Sequence, residues 1–272
     1  PSHLSFQKLA QENSANLTES KFNAVFAAWH FRREQACEML CLYQPQRFEM
    51  GSNIPIAGKY KDKGTKMSFQ KFELHEKILA GVQMLGYQKP TPIQLQAIPP
   101  VMEGRDLMGL AQTGTGKTAA FVLPILQRFM EKPLGRIRAL IIAPTRELSE
   151  QTHEAIKQLG RKTKLRSAAV YGGVSIHNQI NRLRGNVEIV SACPGRLLDH
   201  IERGTIDLSH VEVLVLDEAD HMFDMGFLPD VRRIVNHLPQ KRQTLLFSAT
   251  MPDDVKSLAM DLLRNPVNIQ IG

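Results

Sequence analysis

The chain has 272 residues, 43% hydrophobic and 22% charged, enough for one sizeable domain with a smaller appendage. Its formal charge of +7 suits either a polyanionic partner or simply a soluble basic surface. Three cysteines cannot pair evenly, no basic-then-apolar leader opens the sequence, and no apolar run nears the roughly 20 residues of a bilayer span; secretion and membrane spanning are disfavoured, and a cytoplasmic setting is expected.

Residues 1–66 begin polar, continue through an amphipathic stretch from about Thr18 to Tyr43, and end in a Gly/Pro/Lys-containing linker. Phe22, Val25, Phe26 and Trp29 fall at i, i+3, i+4 and i+7, one face of a helix. That stripe suits packing on the chain's own surface or on a protein partner, so the segment is an upstream extension or a docking appendage. Cys37 and Cys41 lie in it, one helical turn apart, without zinc-ligand spacing.

A new pattern opens at Met67 and occupies residues 67–272. Short apolar runs, expected as strands, are Asp106–Ala111, Ala139–Ala143, Ser167–Tyr171, Glu188–Ser191, Val213–Asp217, Thr244–Phe247 and Val267–Ile271. Between them lie helix-length segments: Lys117–Met130, Leu148–Arg161, Gly195–Arg203, Leu228–Leu238 and Asp253–Leu263. This alternation predicts an α/β fold, a parallel sheet with helices on both faces, and a small helical N-terminal extension before it. Ligands of such sheets bind at the carboxyl ends of the strands.

Two of those strand ends carry chemistry. Ala111-Gln112-Thr113-Gly114-Thr115-Gly116-Lys117-Thr118 leaves a predicted strand and opens a predicted helix, the setting of a phosphate-binding loop, with Ala111 where the general pattern has Gly. Gly114 and Gly116 let the backbone curl its N–H groups toward phosphate oxygens, Lys117 suits the β- and γ-phosphates, and the Thr118 hydroxyl suits Mg²⁺. The apolar run Val213–Leu216 ends in Asp217-Glu218-Ala219-Asp220, carboxylates at the end of a buried strand. Asp217 is the candidate Mg²⁺ ligand, and Glu218 the candidate to orient or deprotonate an attacking water. An acidic cluster alone more often reads as a solvated turn; the phosphate loop reverses that preference.

Over roughly residues 67–272 the chain closely resembles the first RecA-like domain of DEAD-box RNA helicases, the tetrapeptide being literal at 217–220. Gly86-Tyr87-Gln88-Lys89-Pro90-Thr91-Pro92-Ile93-Gln94 resembles the family's Q motif, and Phe69 stands where the family keeps an isolated aromatic. The resemblance makes Gln94 the reader of adenine, a role its one-donor, one-acceptor amide face suits, and Tyr87 can stack on the base. Pro144-Thr145-Arg146-Glu147-Leu148, Gly172-Gly173 and Pro194-Gly195-Arg196 resemble the segments that line the family's RNA track, where Thr145, Arg146 and Arg196 suit sugar–phosphate contacts. Ser248-Ala249-Thr250 resembles the segment whose hydroxyls bond the DEAD strand, with Asp220 the expected partner, coupling hydrolysis to strand separation. ATP with Mg²⁺, RNA and a second RecA-like domain are the partners the resemblance implies. The run from Met67-Ser68-Phe69 looks most like the bacterial RhlE-type branch.

Two departures stand out: Cys193 replaces the usual threonine before Pro194, removing a hydroxyl donor, and Ser149 replaces the usual alanine, a change expected to be tolerated. Nothing in the chain resembles the second domain, whose arginine fingers reach the γ-phosphate, so this chain alone is expected to bind nucleotide and hydrolyse it poorly, without unwinding. A nucleotide-controlled RNA clamp without turnover is the alternative. Neither an Asn-Lys-x-Asp guanine motif nor a Leu-Ser-Gly-Gly-Gln signature is present, against a GTPase or a transporter ATPase.

Overall fold

A computed structural model describes residues 68–130 and 135–271. The expectations for residues 1–66, the Phe22–Trp29 stripe included, lie outside the described residues.

The strands are β1 (Leu107–Ala111), β2 (Ala139–Ile142), β3 (Ser167–Val170), β4 (Ile189–Ala192), β5 (Val213–Asp217), β6 (Gln243–Ser248) and β7 (Val267–Ile271). They form one 7-stranded sheet in the order β3-β4-β2-β5-β6-β1-β7, every pair parallel. The helices are α1 (Glu76–Met84), α2 (Pro92–Met102), α3 (Lys117–Met130), α4 (Arg146–Leu159), α5 (Ile176–Leu183), α6 (Pro194–Glu202), α7 (Ala219–Asp224), α8 (Leu228–Val235) and α9 (Asp253–Leu262).

Because side chains alternate along a strand, each central strand feeds two cores. Val213 and Val215 of β5 pack with α1, α2 and α3, whereas Leu214 and Leu216 pack with α6 to α9. β2 repeats the division, Ala139 and Ile141 facing one way and Leu140 and Ile142 the other. All four of these β2 residues are fully buried, which is why the run carries no polar alternation. Of the elements absent from the sequence expectations, α2 holds Pro99 and Pro100 inside its span. They fall in its last turn, and burial of Ile93, Ala97, Ile98 and Val101 against the core outweighs the lost backbone bonds.

Strand ends shift by a residue or two. Asp106, expected to start β1, lies outside it: its buried carboxylate accepts from the backbone N–H of Thr244 (2.8 Å) and of Arg264 (2.7 Å), tying the entrances of β6 and β7 to that of β1. With every strand parallel, the carboxyl ends of β1, β5 and β6 meet at one rim, and those of β2, β3 and β4 continue it. Among the described residues no helix is long and apolar enough to cross a membrane.

Candidate nucleotide site and adjoining nucleic-acid track

The β1–α3 connection is the loop 111–118, with Gly114 at φ 85° and Gly116 at φ 94°, a region L side chains rarely adopt. At Gly116 there is a second reason for glycine: a Cβ would sit 2.5 Å from Gln94 Nε2. That approach exists because Gln94 braces the loop. Its Nε2 donates to Gly116 O (3.1 Å) while its Oε1 accepts from Thr91 N (3.0 Å) at the start of α2. Gln94 is 3% exposed, so only its second N–H and second lone pair remain for a base. Lys117 is buried and donates to Ala111 O (3.1 Å) across the loop. Gln112, Thr113 and Gly114 are exposed and Thr115 and Thr118 half-buried, with the Thr115 hydroxyl closing the turn on Gln112 O (2.7 Å).

In the sheet order β6 separates β1 from β5, and its last residue, Ser248, pairs with Leu110 while its neighbour Phe247 pairs with Asp217. This places the DEAD segment beside the phosphate loop. Asp217 lies at the end of β5, and its buried Oδ1 has no hydrogen-bond partner. Burial pushes its carboxyl up to about 6, with the charges of Glu218 and Asp220 adding to the rise and Lys117 opposing it. An orphaned carboxylate oxygen at the end of β5, on the same rim as the phosphate loop, fits Mg²⁺, which takes one or two protein oxygens and completes its shell from phosphate and water. Among the described residues no cluster of His, Cys, Asp and Glu is built to hold a metal by itself.

Glu218 sits at φ 57°, an uncommon conformation for a side-chain-bearing residue and a local strain. Its carboxylate accepts from Thr113 Oγ1 (3.2 Å) and lies 3.5 Å from His221 Nδ1, one turn along α7. Sequence reading had not found either partner; the i, i+3 spacing of Glu218 and His221 was the available signal. Asp220 meets the expected segment: its backbone N–H donates to Ser248 Oγ (3.0 Å), and its Oδ2 accepts from Ala249 N (3.2 Å), Thr250 N (2.8 Å) and Thr250 Oγ1 (2.9 Å). Burial raises the Asp220 carboxyl, but the bonds from Ser248 and Thr250 outweigh it and hold the group below its usual value.

The aromatic pair takes unequal places. Phe69 is 3% exposed and belongs to the core, stacked under Tyr87 at 6.3 Å between centroids and 27° between planes. Tyr87 is 43% exposed, so of the two it is the ring with surface left for a ligand.

Along the rim, Thr145 caps α4, its Oγ1 accepting from Leu148 N (3.3 Å), which leaves its hydroxyl proton for a ligand. The Arg146 guanidinium lies over the Tyr171 ring at 4.9 Å. Gly172, Gly173 and Gly195 are exposed, whereas Pro144 and Pro194 are buried and serve the backbone path. Arg196 donates to Val174 O (2.9 Å) and pairs with Asp199 (3.3 Å), so its fork is fixed beside the glycine turn. Beneath it, buried Gln179 donates to Tyr171 O (2.8 Å) and faces His200 Nε2 (3.1 Å), joining α5 to α6. Cys193 occupies the α6 cap position with no side-chain bond to the helix, and burial, aided by Glu147, pushes its thiol up to about 11. Ser149 is more than tolerated: fully buried, it bonds Ser191 Oγ at 3.2 Å.

A twisted parallel sheet with a phosphate loop after β1 and an acidic end on β5 defines a P-loop nucleotide-binding domain of the RecA-like kind. Residues 91–258 match the DEAD/DEAH box helicase family, and the chain belongs to that family. It is 50% identical over 203 residues to the ATP-dependent RNA helicase CshA of Listeria monocytogenes, covering 75% of this chain and 39% of that protein. It is 47% identical over 207 residues to the DEAD-box ATP-dependent RNA helicase RhpA of Helicobacter pylori, covering 76% of this chain and 42% of that one. Among solved structures, a DEAD box protein from Methanococcus jannaschii superposes with a TM-score of 0.71 at 40% identity, covering 76% of this chain and 56% of that one. The chain thus spans about two-fifths of the length of these curated relatives.

Proposed function

We infer that this chain is the ATP-binding half of an RNA-dependent ATPase, residues 67–272 forming the RecA-like domain, which remodels or unwinds RNA when joined to a second RecA-like domain. The observation that carries the reading is the orphaned Asp217 oxygen beside a phosphate loop braced by Gln94 and touched, through Thr113, by Glu218. In this scheme the loop N–H groups and Lys117 hold the phosphates, while Tyr87 and the remaining capacity of Gln94 hold adenine. Magnesium held by Thr118 and Asp217 would neutralise charge building on the transferred phosphate. Glu218, restrained by Thr113, accepts the proton of the attacking water. Loss of phosphate is felt by Asp220 and passed to Ser248 and Thr250, while Thr145, Arg146, the Gly172-Gly173 turn and the Gly195–Arg196 helix start hold RNA by its sugar–phosphate backbone.

The family resemblance at Met67-Ser68-Phe69 supports placement with the RhlE-type branch, while the bacterial relatives compared carry the names CshA and RhpA. The uneven cysteine count supports a cytoplasmic setting, and residues 1–66 are proposed as an extension that docks a protein partner. The test is calorimetric titration of the chain with ADP and with GDP in the presence of Mg²⁺. A clear preference for ADP is expected; equal binding removes Gln94 from base recognition, and no binding of either removes the phosphate site.

A further inference from the structure

A groove of about 710 Å³ runs along the edge strand β3, walled by one side of α4 and by the turn that follows α5. It begins beside the proposed RNA track: Arg146 lies over Tyr171, whose hydroxyl donates to Glu150, and Glu150 forms the groove's upper wall. From there it descends past His153 and Lys157 to Arg161, Arg166 and Arg182. Its acidic side chains are already engaged, Glu150 by Tyr171 and Glu154 by Lys157 (2.7 Å) and Gln158 (3.1 Å). Of its cations, Lys157 is taken up by Glu154 and Arg166 bonds Gly185 O, but Arg161 and Arg182 line the groove exposed and, like Lys162, Lys164 and Arg184 next to them in the chain, make no ion pair among the described residues.

We propose that this groove is a second RNA-backbone site, which takes the part of the same strand that leaves the track past Arg146 and so lengthens the footprint of the domain. The inference rests on the RNA reading given above. Charge decides for RNA: the exposed cations without ion pairs in and beside the groove outnumber its two carboxylates, of which Glu154 is paired with Lys157, and such a surface attracts a polyanion and gains from counterion release. Continuity decides for the same strand, since track and groove share the Arg146–Tyr171–Glu150 corner. The part of α4 that walls the groove, from Glu150 to Leu159, is about 15 Å long at 1.5 Å per residue; at roughly 3.4 Å per phosphate along a stacked strand it accommodates about four further nucleotides. The Arg161–Arg166 loop closes the far end, where Arg166 is fixed by its bond to Gly185 O (3.0 Å). Contacts here are to phosphates, so the site adds length to the footprint and no sequence preference.

The experiment compares a 6-mer and an 18-mer oligouridylate binding to the whole chain by fluorescence anisotropy across a salt series. The 18-mer is expected to bind more tightly, with a steeper salt dependence. In the triple variant Arg161→Gln, Lys164→Gln, Arg182→Gln, 18-mer affinity falls about ten-fold, and its log–log salt slope drops by about 2, near 0.7 per lost phosphate contact. Affinity for the 6-mer and for ADP stays at the wild-type value, which also shows that the variant is folded. Equal loss of positive charge at exposed Lys77, Lys241 and Lys256 leaves the 18-mer unaffected. Wild-type 18-mer binding in the groove variant, or equal losses for both lengths, overturns the proposal. A poly-glutamate peptide whose binding is lost in the variant, with no RNA length effect, gives the groove to an acidic protein segment instead. An 18-mer that binds through the groove while the 6-mer does not bind at all overturns the track reading and leaves the groove standing; failure of both RNAs overturns both.

Discussion

The rim of the sheet has two halves that are built differently. At the ends of β1, β5 and β6 the functional groups are wired to one another across long stretches of sequence: Gln94 to Gly116, Thr113 to Glu218, Asp220 to Ser248 and Thr250. At the ends of β2, β3 and β4 the groups are held from below, by a helix cap at Thr145, a ring under Arg146 and the buried Gln179–His200 pair, and their upper surfaces stay open. The first half is preorganised around one small ligand and contains a strained Glu218 and an unsatisfied Asp217, features that a bound ligand would relieve. The second is a surface of donors which, in the proposed reading, takes a sugar–phosphate backbone of any sequence.

The largest effect expected of this contrast is on turnover. If the wired half is complete except for arginine fingers brought in trans, this chain alone hydrolyses ATP at a rate about three to five orders of magnitude below that of the same chain joined to a second RecA-like domain. A coupled phosphate-release assay with saturating RNA measures both. Steady RNA-stimulated turnover by the chain alone would mean that the nucleotide half needs nothing from outside.

Next comes the strain stored at Asp217. Its folded-state pKa of about 6 lies above that of the unfolded chain, so its favourable contribution to folding is complete below about pH 4 and is lost as pH rises through 6. Asp217→Asn removes that loss. In metal-free buffer at pH 8 the variant is expected to be more stable by about 2 to 3 kcal/mol, at 1.36 kcal/mol per pKa unit. Urea unfolding at pH 8 and pH 4 checks it: the gain appears at pH 8 and vanishes at pH 4. A variant no more stable at either pH would show that Asp217 is not strained. The Asp220 carboxyl, held low by its bonds, moves the opposite way, its contribution disappearing only in acid.

A smaller effect belongs to the brace. Gln94→Ala removes one bond to the phosphate loop and one to the start of α2, each worth about 1 kcal/mol. ADP affinity should fall about ten-fold, and the preference over GDP should shrink with it. Loss of affinity with the base preference retained would make Gln94 a strut for the loop and nothing more.

The sequence carried the fold's main beams because period and burial were visible in it: the runs for β5 and β7 and the helix Lys117–Met130 coincide with the structure residue for residue. It missed α2, whose prolines look like punctuation and whose helix is sustained by burial. It missed α1 and α5, although Ile176, Ile180 and Leu183 of α5 fall at i, i+4 and i+7, and α7, whose 6 residues are too few to show a period. In the site, motif order located the phosphate loop and Asp220's partners, because those bonds follow from which strands carry them. The Thr113–Glu218 contact depends on β6 lying between β1 and β5, which no local pattern reveals. The groove escaped for a related reason: its cations come from α4, the Arg161–Arg166 loop and the end of α5, and only the edge position of β3 gathers them.

The smallest expected effect lies in the open half, at Cys193. This residue stands at the start of α6 with extended backbone angles (φ −90°, ψ 142°), the geometry of a helix cap, and yet its side chain makes no capping bond. Burial keeps the thiol protonated through neutral pH, so it is neither a nucleophile nor an effective acceptor. Cys193→Thr supplies a hydroxyl that can accept from the α6 N–H groups, as Thr145 does for α4, at a gain of about 0.5 to 1 kcal/mol in stability. Capping straightens only the first turn of α6, where Gly195 offers its N–H, so RNA affinity should rise by no more than a few-fold. Thermal melts and 6-mer binding measure the two together. If stability rises and RNA binding does not, the open half uses α6 as a support for Arg196 and takes no phosphate contact at the helix start. If both rise, the cysteine is a weak point in the track that the nucleotide half, with its interlocked bonds, does not share.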